Sequence, residues 1–318
     1  MNNLVVVMAG DRSLHGEYSA QRDFELWTIY YGDSDETFER YRSFSDRIWR
    51  KKGLKIELVR RILLEELHFR EKTDFTAYDF VFLPDDDIRF PNGSADISRL
   101  FAICRDLQVD VFQPAISNEF VSERWEPTCL MPGAVCHRTN IVEIMMHGFS
   151  GRAFIEAYLP AIHAMQFIKS GWGIEPIWMK IGEAIFQRPL RTFVIDTVPA
   201  IHTRPIGSGS AKIHAIGLAE AHFVPLIEVN RIHTLASFSK MEDASVVTDE
   251  IIAPSAEIPL DIRSAVATHL ILSFKRFTKS VAPQPLINIW KWAKKALRAS
   301  IAATSTTSQG DNKLSSRG

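Results

Sequence analysis

Tyr78-Asp79-Phe80-Val81-Phe82-Leu83-Pro84-Asp85-Asp86-Asp87 is a short apolar run that leads straight into three consecutive carboxylates. Such a run, closed by turn residues, reads as a strand buried on both faces. Three adjacent like charges repel, so a fold that gathers them normally brings a cation. Hard divalent ions such as Mg²⁺ or Mn²⁺ prefer oxygen ligands and complete their shells with phosphate and water. Asp85 and Asp87 are therefore candidate metal ligands, Asp85 also at a bound diphosphate and Asp87 also in the catalytic step. The competing reading is an acidic turn that caps the helix after it.

Outward from this stretch, apolar runs alternate with amphipathic ones. Strands are expected at Leu4–Ala9, Leu26–Tyr31, Lys55–Val59, Tyr78–Leu83 and Val109–Gln113, and helices over Thr37–Arg50, Val59–Leu67 and Ile97–Leu107. That alternation predicts an α/β fold, a Rossmann-like, mostly parallel sheet with helices on both faces, whose ligands gather at the carboxyl ends of the strands. Farther on, Gly133–His137 and Thr192–His202 read as strands, and Thr139–Met146 and Phe154–Lys169 as helices. Ser210 stands where it would cap a helix over Ala211–His222.

Candidate site residues follow the apolar runs. After the first strand come Gly10, Asp11 and Arg12, small and basic residues suited to a nucleotide phosphate. This is not a GxGxxG loop, so a dinucleotide site is unsupported. Asp33, after Tyr30-Tyr31-Gly32, presents an acid to a ribose or base. Thr192–His202 ends in His202, a late ligand for a transition metal, with Arg204 placed to clamp a diphosphate. In Ser170-Gly171-Trp172-Gly173-Ile174-Glu175 the glycines build a tight turn, and Glu175 is a candidate general base for an acceptor hydroxyl. Each has a plainer alternative: a hydrogen-bonded structural histidine at His202, a helix-capping acid at Glu175. His147, His163 and His222 lie on apolar helical faces and read as packed histidines. No GxSxG, Walker A or HExxH motif occurs.

The bulk properties bound the partners. Over 318 residues the formal net charge is −1, so no basic excess argues for nucleic acid. Cys104, Cys129 and Cys136 are too few and too badly spaced for a disulfide framework or a zinc knuckle, and read as small core residues. The first apolar run is too short for a signal peptide, and a cytoplasmic protein is expected. Residues 1–240 are expected to form the nucleotide-binding and catalytic domain, 241–260 a linker, 261–303 a basic helical extension and 304–318 a disordered tail. Within 285–301 an apolar stripe with Trp290 borders Lys291, Lys294, Lys295 and Arg298, which fits peripheral docking on the inner face of a membrane.

These motifs together resemble the family labelled domain of unknown function 707, glycosyltransferase-like proteins related to GT-A enzymes. The matching pieces are Gly10–His15, Tyr30–Asp33, Tyr78–Ile88, Gln113-Pro114-Ala115, Gly171–Glu175 and Val194–Ser208, in the same order over about residues 4–210. The resemblance implies a GT-A-like fold, a metal-bound nucleotide-sugar donor and a glycan or lipid-linked acceptor. It carries Asp85 and Asp87 over as metal–diphosphate residues and His202 as the matching C-terminal position. The chain departs from the family at Glu175, where the family commonly has Asp, and at Val142–Met146. Two other readings stand beside the transferase: a non-catalytic nucleotide- or glycan-binding member, and a metal-dependent phosphoester hydrolase.

Overall fold

The computed structural model describes residues 2–117, 127–166, 168–171 and 173–204, together with the backbone of 231–234 and 249–251. The strands are β1 (Asn3–Ala9), β2 (Glu25–Tyr30), β3 (Arg47–Arg50), β4 (Phe80–Pro84), β5 (Ile88–Arg89), β6 (Val111–Ile116), β7 (His137–Thr139), β8 (Met146–Ser150), β9 (Thr192–His202), β10 (Arg231–Thr234) and β11 (Asp249–Ile251). The helices are α1 (Asp35–Arg42), α2 (Lys55–Leu58, running on in wide π-type turns over Val59–Glu71), α3 (Ser94–Asp106), α4 (Gly151–Ala153, Phe154–Tyr158 and Leu159–Ala164 end to end) and α5 (Glu175–Phe186).

The strands join one eleven-stranded sheet in the order β11-β10-β7-β9-β6-β8-β4-β1-β2-β3, with β5 paired to β9. From β3 to β4 all pairing is parallel, as is β6 with β9. Antiparallel β8 sits between β4 and β6. The fold is thus the expected α/β type: a Rossmann-like parallel half continued by a mixed half.

Period-2 alternation divides the core. Leu4, Val6 and Met8 of β1 and Val81 and Leu83 of β4 face the layer covered by α2, α4 and α5. Val5, Val7, Ala9, Phe80 and Phe82 face the layer built on α3, where Phe82, Phe101 and Phe112 pack edge to face and stacked. Both faces are covered, so β1 and β4 are buried along their whole length and read as continuous apolar runs. Cys104 and Cys136 are buried in the second layer, where burial pushes the Cys136 thiol up to about 12.

Several expected elements came out otherwise. Lys55–Val59 is helical: Ile56, Val59, Ile62 and Leu63 make one buried stripe, and the Glu57 carboxylate accepts from the Leu54 N–H at the helix start. The helix expected over Thr37–Arg50 stops at Arg42. There Ser45 bonds the Tyr41 carbonyl and Asp46 takes the Leu26 N–H, which frees Arg47–Arg50 to pair with β2. Thr139–Met146 is not a helix. Glu143 turns back on Met145, and Met146 begins β8, so His147 is packed as expected but lies in a strand. The strand expected at Gly133–His137 begins at His137, and the helix expected to reach Lys169 ends at Ala164. Ser210, the helix over Ala211–His222, His222 and the segments from 261 onward lie outside the described residues, as does most of the stretch read as a linker, which includes β11. Among the described residues no helix is long and apolar enough to cross a membrane.

Candidate functional site

The acids stand at the carboxyl end of β4, beside the carboxyl end of its parallel neighbour β1 and that of β2 beyond it, so three loops converge. Asp86 is the centre of that convergence. Its Oδ2 accepts from the Gly10 N–H and the Tyr31 hydroxyl, both at 2.8 Å, and its carbonyl accepts from the Leu14 N–H at 2.8 Å. Burial raises the Asp86 carboxyl above the usual range, against the pull of the Gly10 N–H. A Cβ at position 10 would lie 2.9 Å from the Tyr31 oxygen, so a larger residue there would push that hydroxyl aside.

The other end of the chain arrives through β5 and β9. Their register sets Ile88 opposite His202, which places His202 against the residue just before β5. His202 Nε2 lies 3.4 Å from Asp87 Oδ1, and the Thr203 N–H and hydroxyl donate to the Asp87 carbonyl at 3.0 and 2.8 Å. Arg204 Nη1 lies 3.8 Å from Asp86 Oδ1, and its Nη2 donates to the Arg12 carbonyl at 2.9 Å. Gly10, Arg12, Asp86, Asp87, His202 and Arg204 thus form one cluster, although 192 residues separate Arg12 from Arg204.

Asp85 points elsewhere, toward the α2 side, where its Oδ1 meets Lys55 Nζ at 2.6 Å. Burial raises its pKa to about 6, with the Lys55 ammonium opposing. Two further acids share this region. Glu143 is raised to about 8, first by burial and then by the Glu175 and Asp85 charges, against the Met145 N–H it accepts. Glu175 opens α5 and is 2% exposed, beyond the turn whose Gly171 and Gly173 adopt φ of +89° and +81°. Trp172 between them lies outside the described residues.

The remaining expected residues are brought near without facing the cluster. The Asp11 carboxylate is taken up by the Tyr30 hydroxyl and the N–H groups of Asp33 and Ser34, and the tyrosine bond holds its pKa low. Asp33 pairs with Lys52 at 2.7 Å on the surface. The described residues contain no group of three or more His, Cys, Asp or Glu arranged to hold a metal ion. Asp87 with His202 is the pair that suits one, since a carboxylate and an imidazole leave the other positions to phosphate and water. The neighbouring Tyr18 hydroxyl is buried without a hydrogen-bond partner, and burial together with the charges of Asp85, Asp86 and Asp87 keeps it a neutral donor. A cleft lined by Asp79, Arg105 and Asp110 opens at the other end of β4 and holds none of the expected residues.

Sequence reasoning missed Lys55, Tyr31 and Glu143. Lys55 carried no local signal, because Lys55–Val59 reads as a strand; only with α2 in place does a lysine in its first turn, at the positive end of the helix dipole, call for a partner.

No protein-family model and no curated protein matches the chain. Among solved structures it is similar to Staphylococcus aureus TarS residues 1–349 in complex with UDP, with TM-score 0.43, 12% identity, and coverage of 71% of this chain and 67% of that one. It is similar to a longer TarS structure at TM-score 0.42 and 12% identity, spanning 41% of that chain's length. A protein of Desulfovibrio desulfuricans G20 described as a nucleotide-diphospho-sugar transferase follows at TM-score 0.34 and 10% identity, over 69% of this chain and 95% of that one. These likenesses assign no role to any residue of this chain.

Proposed function

We propose that this chain is a metal-dependent glycosyltransferase of GT-A type that moves a sugar from a nucleotide-sugar donor to a glycan or lipid-linked acceptor. The observation that carries the reading is the meeting of the loop after β1, the acids after β4 and the end of β9 at one edge of a parallel sheet. Open α/β sheets bind their ligands at that edge. In this reading Arg204 and Arg12 face the donor diphosphate, with Arg204 offering a planar fork of donors. Asp87 and His202 would hold the divalent ion, Mn²⁺ or Mg²⁺. When bound, it offsets the charge that develops on the departing diphosphate. Glu175 takes the proton of the acceptor hydroxyl. Glu143, raised to about 8, stays protonated at neutral pH and keeps that pocket to fewer negative charges. The family resemblance names Asp87 and His202 as well; it also names Asp85, which here is paired with Lys55.

A thermal-shift screen of nucleoside diphosphates and nucleotide-sugars, with and without Mn²⁺, tests the reading, since a ligand that binds the folded state raises its Tm. A Mn²⁺-dependent rise that Asp87→Ala loses is the expected result. No rise with any nucleotide in either condition overturns it. A rise without sugar transfer indicates a binding protein, and phosphoester hydrolysis without a sugar acceptor indicates a hydrolase. For the acceptor, we propose that 285–301 docks on an anionic membrane at its inner face. Equal flotation of the full chain and a chain ending at Pro285 on anionic liposomes removes that part.

A further inference from the structure

Lys55 Nζ lies 2.6 Å from Asp85 Oδ1, 2.8 Å from the Leu83 and Ile144 carbonyls, and 3.3 Å from the Met145 carbonyl. These four oxygens come from the end of β4, the acid loop and the turn into β8. A carboxylate with several backbone carbonyls is the oxygen-rich surrounding that a hard cation takes. The ammonium is mostly buried and stands at the end of α2 where the helix dipole opposes it, so the oxygens and not the helix hold it. Asp86 has Arg204 and Asp87 has His202, at 3.8 and 3.4 Å; among the described residues Asp85 alone of the three has a positive charge within hydrogen-bonding distance of its carboxylate.

We infer that Lys55 is a resident cation of the acid loop: its ammonium fills, at Asp85, the place a metal ion would take. The divalent ion of the proposed transferase is then left one protein carboxylate, Asp87, with His202, and depends on the donor diphosphate to complete its shell. This last consequence rests on the proposed function; the role of Lys55 at Asp85 does not.

The test is Mn²⁺ binding by the full chain, followed by the electron paramagnetic resonance of the free ion and by Tm. Lys55→Ala removes the charge and empties the space that the ammonium fills, leaving the oxygens to be satisfied. It is expected to bind one Mn²⁺ per chain more than wild type, and to show a larger Mn²⁺-dependent rise in Tm. Lys55→Ala combined with Asp85→Asn is expected to lose that extra ion and to fold, because both buried charges have gone together. Lys55→Ala that binds no more Mn²⁺ than wild type, folded or unfolded, overturns the inference. So does an extra ion that persists in the double variant. Failure of the wild type to transfer sugar defeats the transferase reading while leaving these outcomes as informative as before.

Discussion

Asp196 and Asp85 each lie against a basic side chain, His137 at 2.7 Å and Lys55 at 2.6 Å, but their surroundings differ. The His137–Asp196 pair is fully buried, and every remaining polar atom around it is matched. His137 Nε2 lies 2.7 Å from the Pro127 carbonyl, and Asp196 Oδ1 accepts from the Met131 N–H at 2.6 Å. Both nitrogens of the ring face an oxygen. Asp196 reaches His137 because β9 bulges away from β6 between Ile195 and Pro199. This pair clasps the segment 127–137 to β9. Asp85, by contrast, keeps about a third of its side chain exposed and has two further acids next to it in the chain. Two carboxylate–base contacts of equal length therefore differ in kind. A closed set of partners marks a structural clasp, and an open set beside like charges marks a site.

The largest effect that separates them is on stability. Asp196→Ala leaves the buried His137 ring and the Met131 N–H without their acceptor and is expected to cost about 2–5 kcal/mol, read by urea denaturation. Asp87→Ala is expected to leave the urea midpoint within about 0.5 kcal/mol of wild type and to reduce sugar transfer by about 10²–10³-fold. If Asp87→Ala instead destabilises as Asp196→Ala does, the acid loop is a clasp as well.

A third effect depends on pH. Folded Asp85 and Glu143 have raised pKa values, about 6 and about 8. Between the unfolded carboxyl values near 4 and these folded values, the folded chain binds more protons, so stability falls as pH rises. The Glu143 share is lost progressively up to about pH 8. Glu143→Gln is therefore expected to be more stable than wild type at pH 8 by about 1–3 kcal/mol, and to show little difference at pH 4. An identical pH profile for the two proteins contradicts the burial of a charge at Glu143.

The smallest expected effect is at Gly10. Gly10→Ala pushes on the Tyr31 hydroxyl and so loosens Asp86. Nucleotide affinity should fall by a few-fold, about 1 kcal/mol, measured by titration calorimetry. An unchanged affinity would separate Asp86 from the donor site.

How much of this was legible beforehand depended on how far each feature reaches along the chain. β1, β4 and β9 lie where their apolar runs predict, β9 to the residue, because a strand buried on both faces shows itself in local composition. The short run at Lys55–Val59 alternates like a strand and is also a piece of a helical stripe. Its choice was made by α2 continuing through Glu71, which no five-residue window contains. Likewise Thr139–Met146 reads as helical, yet its end is drawn into β8, in the gap between β4 and β6.

By itself, then, the amino-acid order determined the buried strands, the acid triplet at the end of one of them, and the histidine and arginine at the end of another. Those are properties of neighbours in the chain. Only the tertiary structure decided which partner each acid has: Lys55 for Asp85, Gly10 and Tyr31 for Asp86, His202 for Asp87. The physical reason is that hydrogen bonds and ion pairs act over about 3 Å. Strand order and register choose which residues come that close, over separations of 30, 76, 55 and 115 positions respectively.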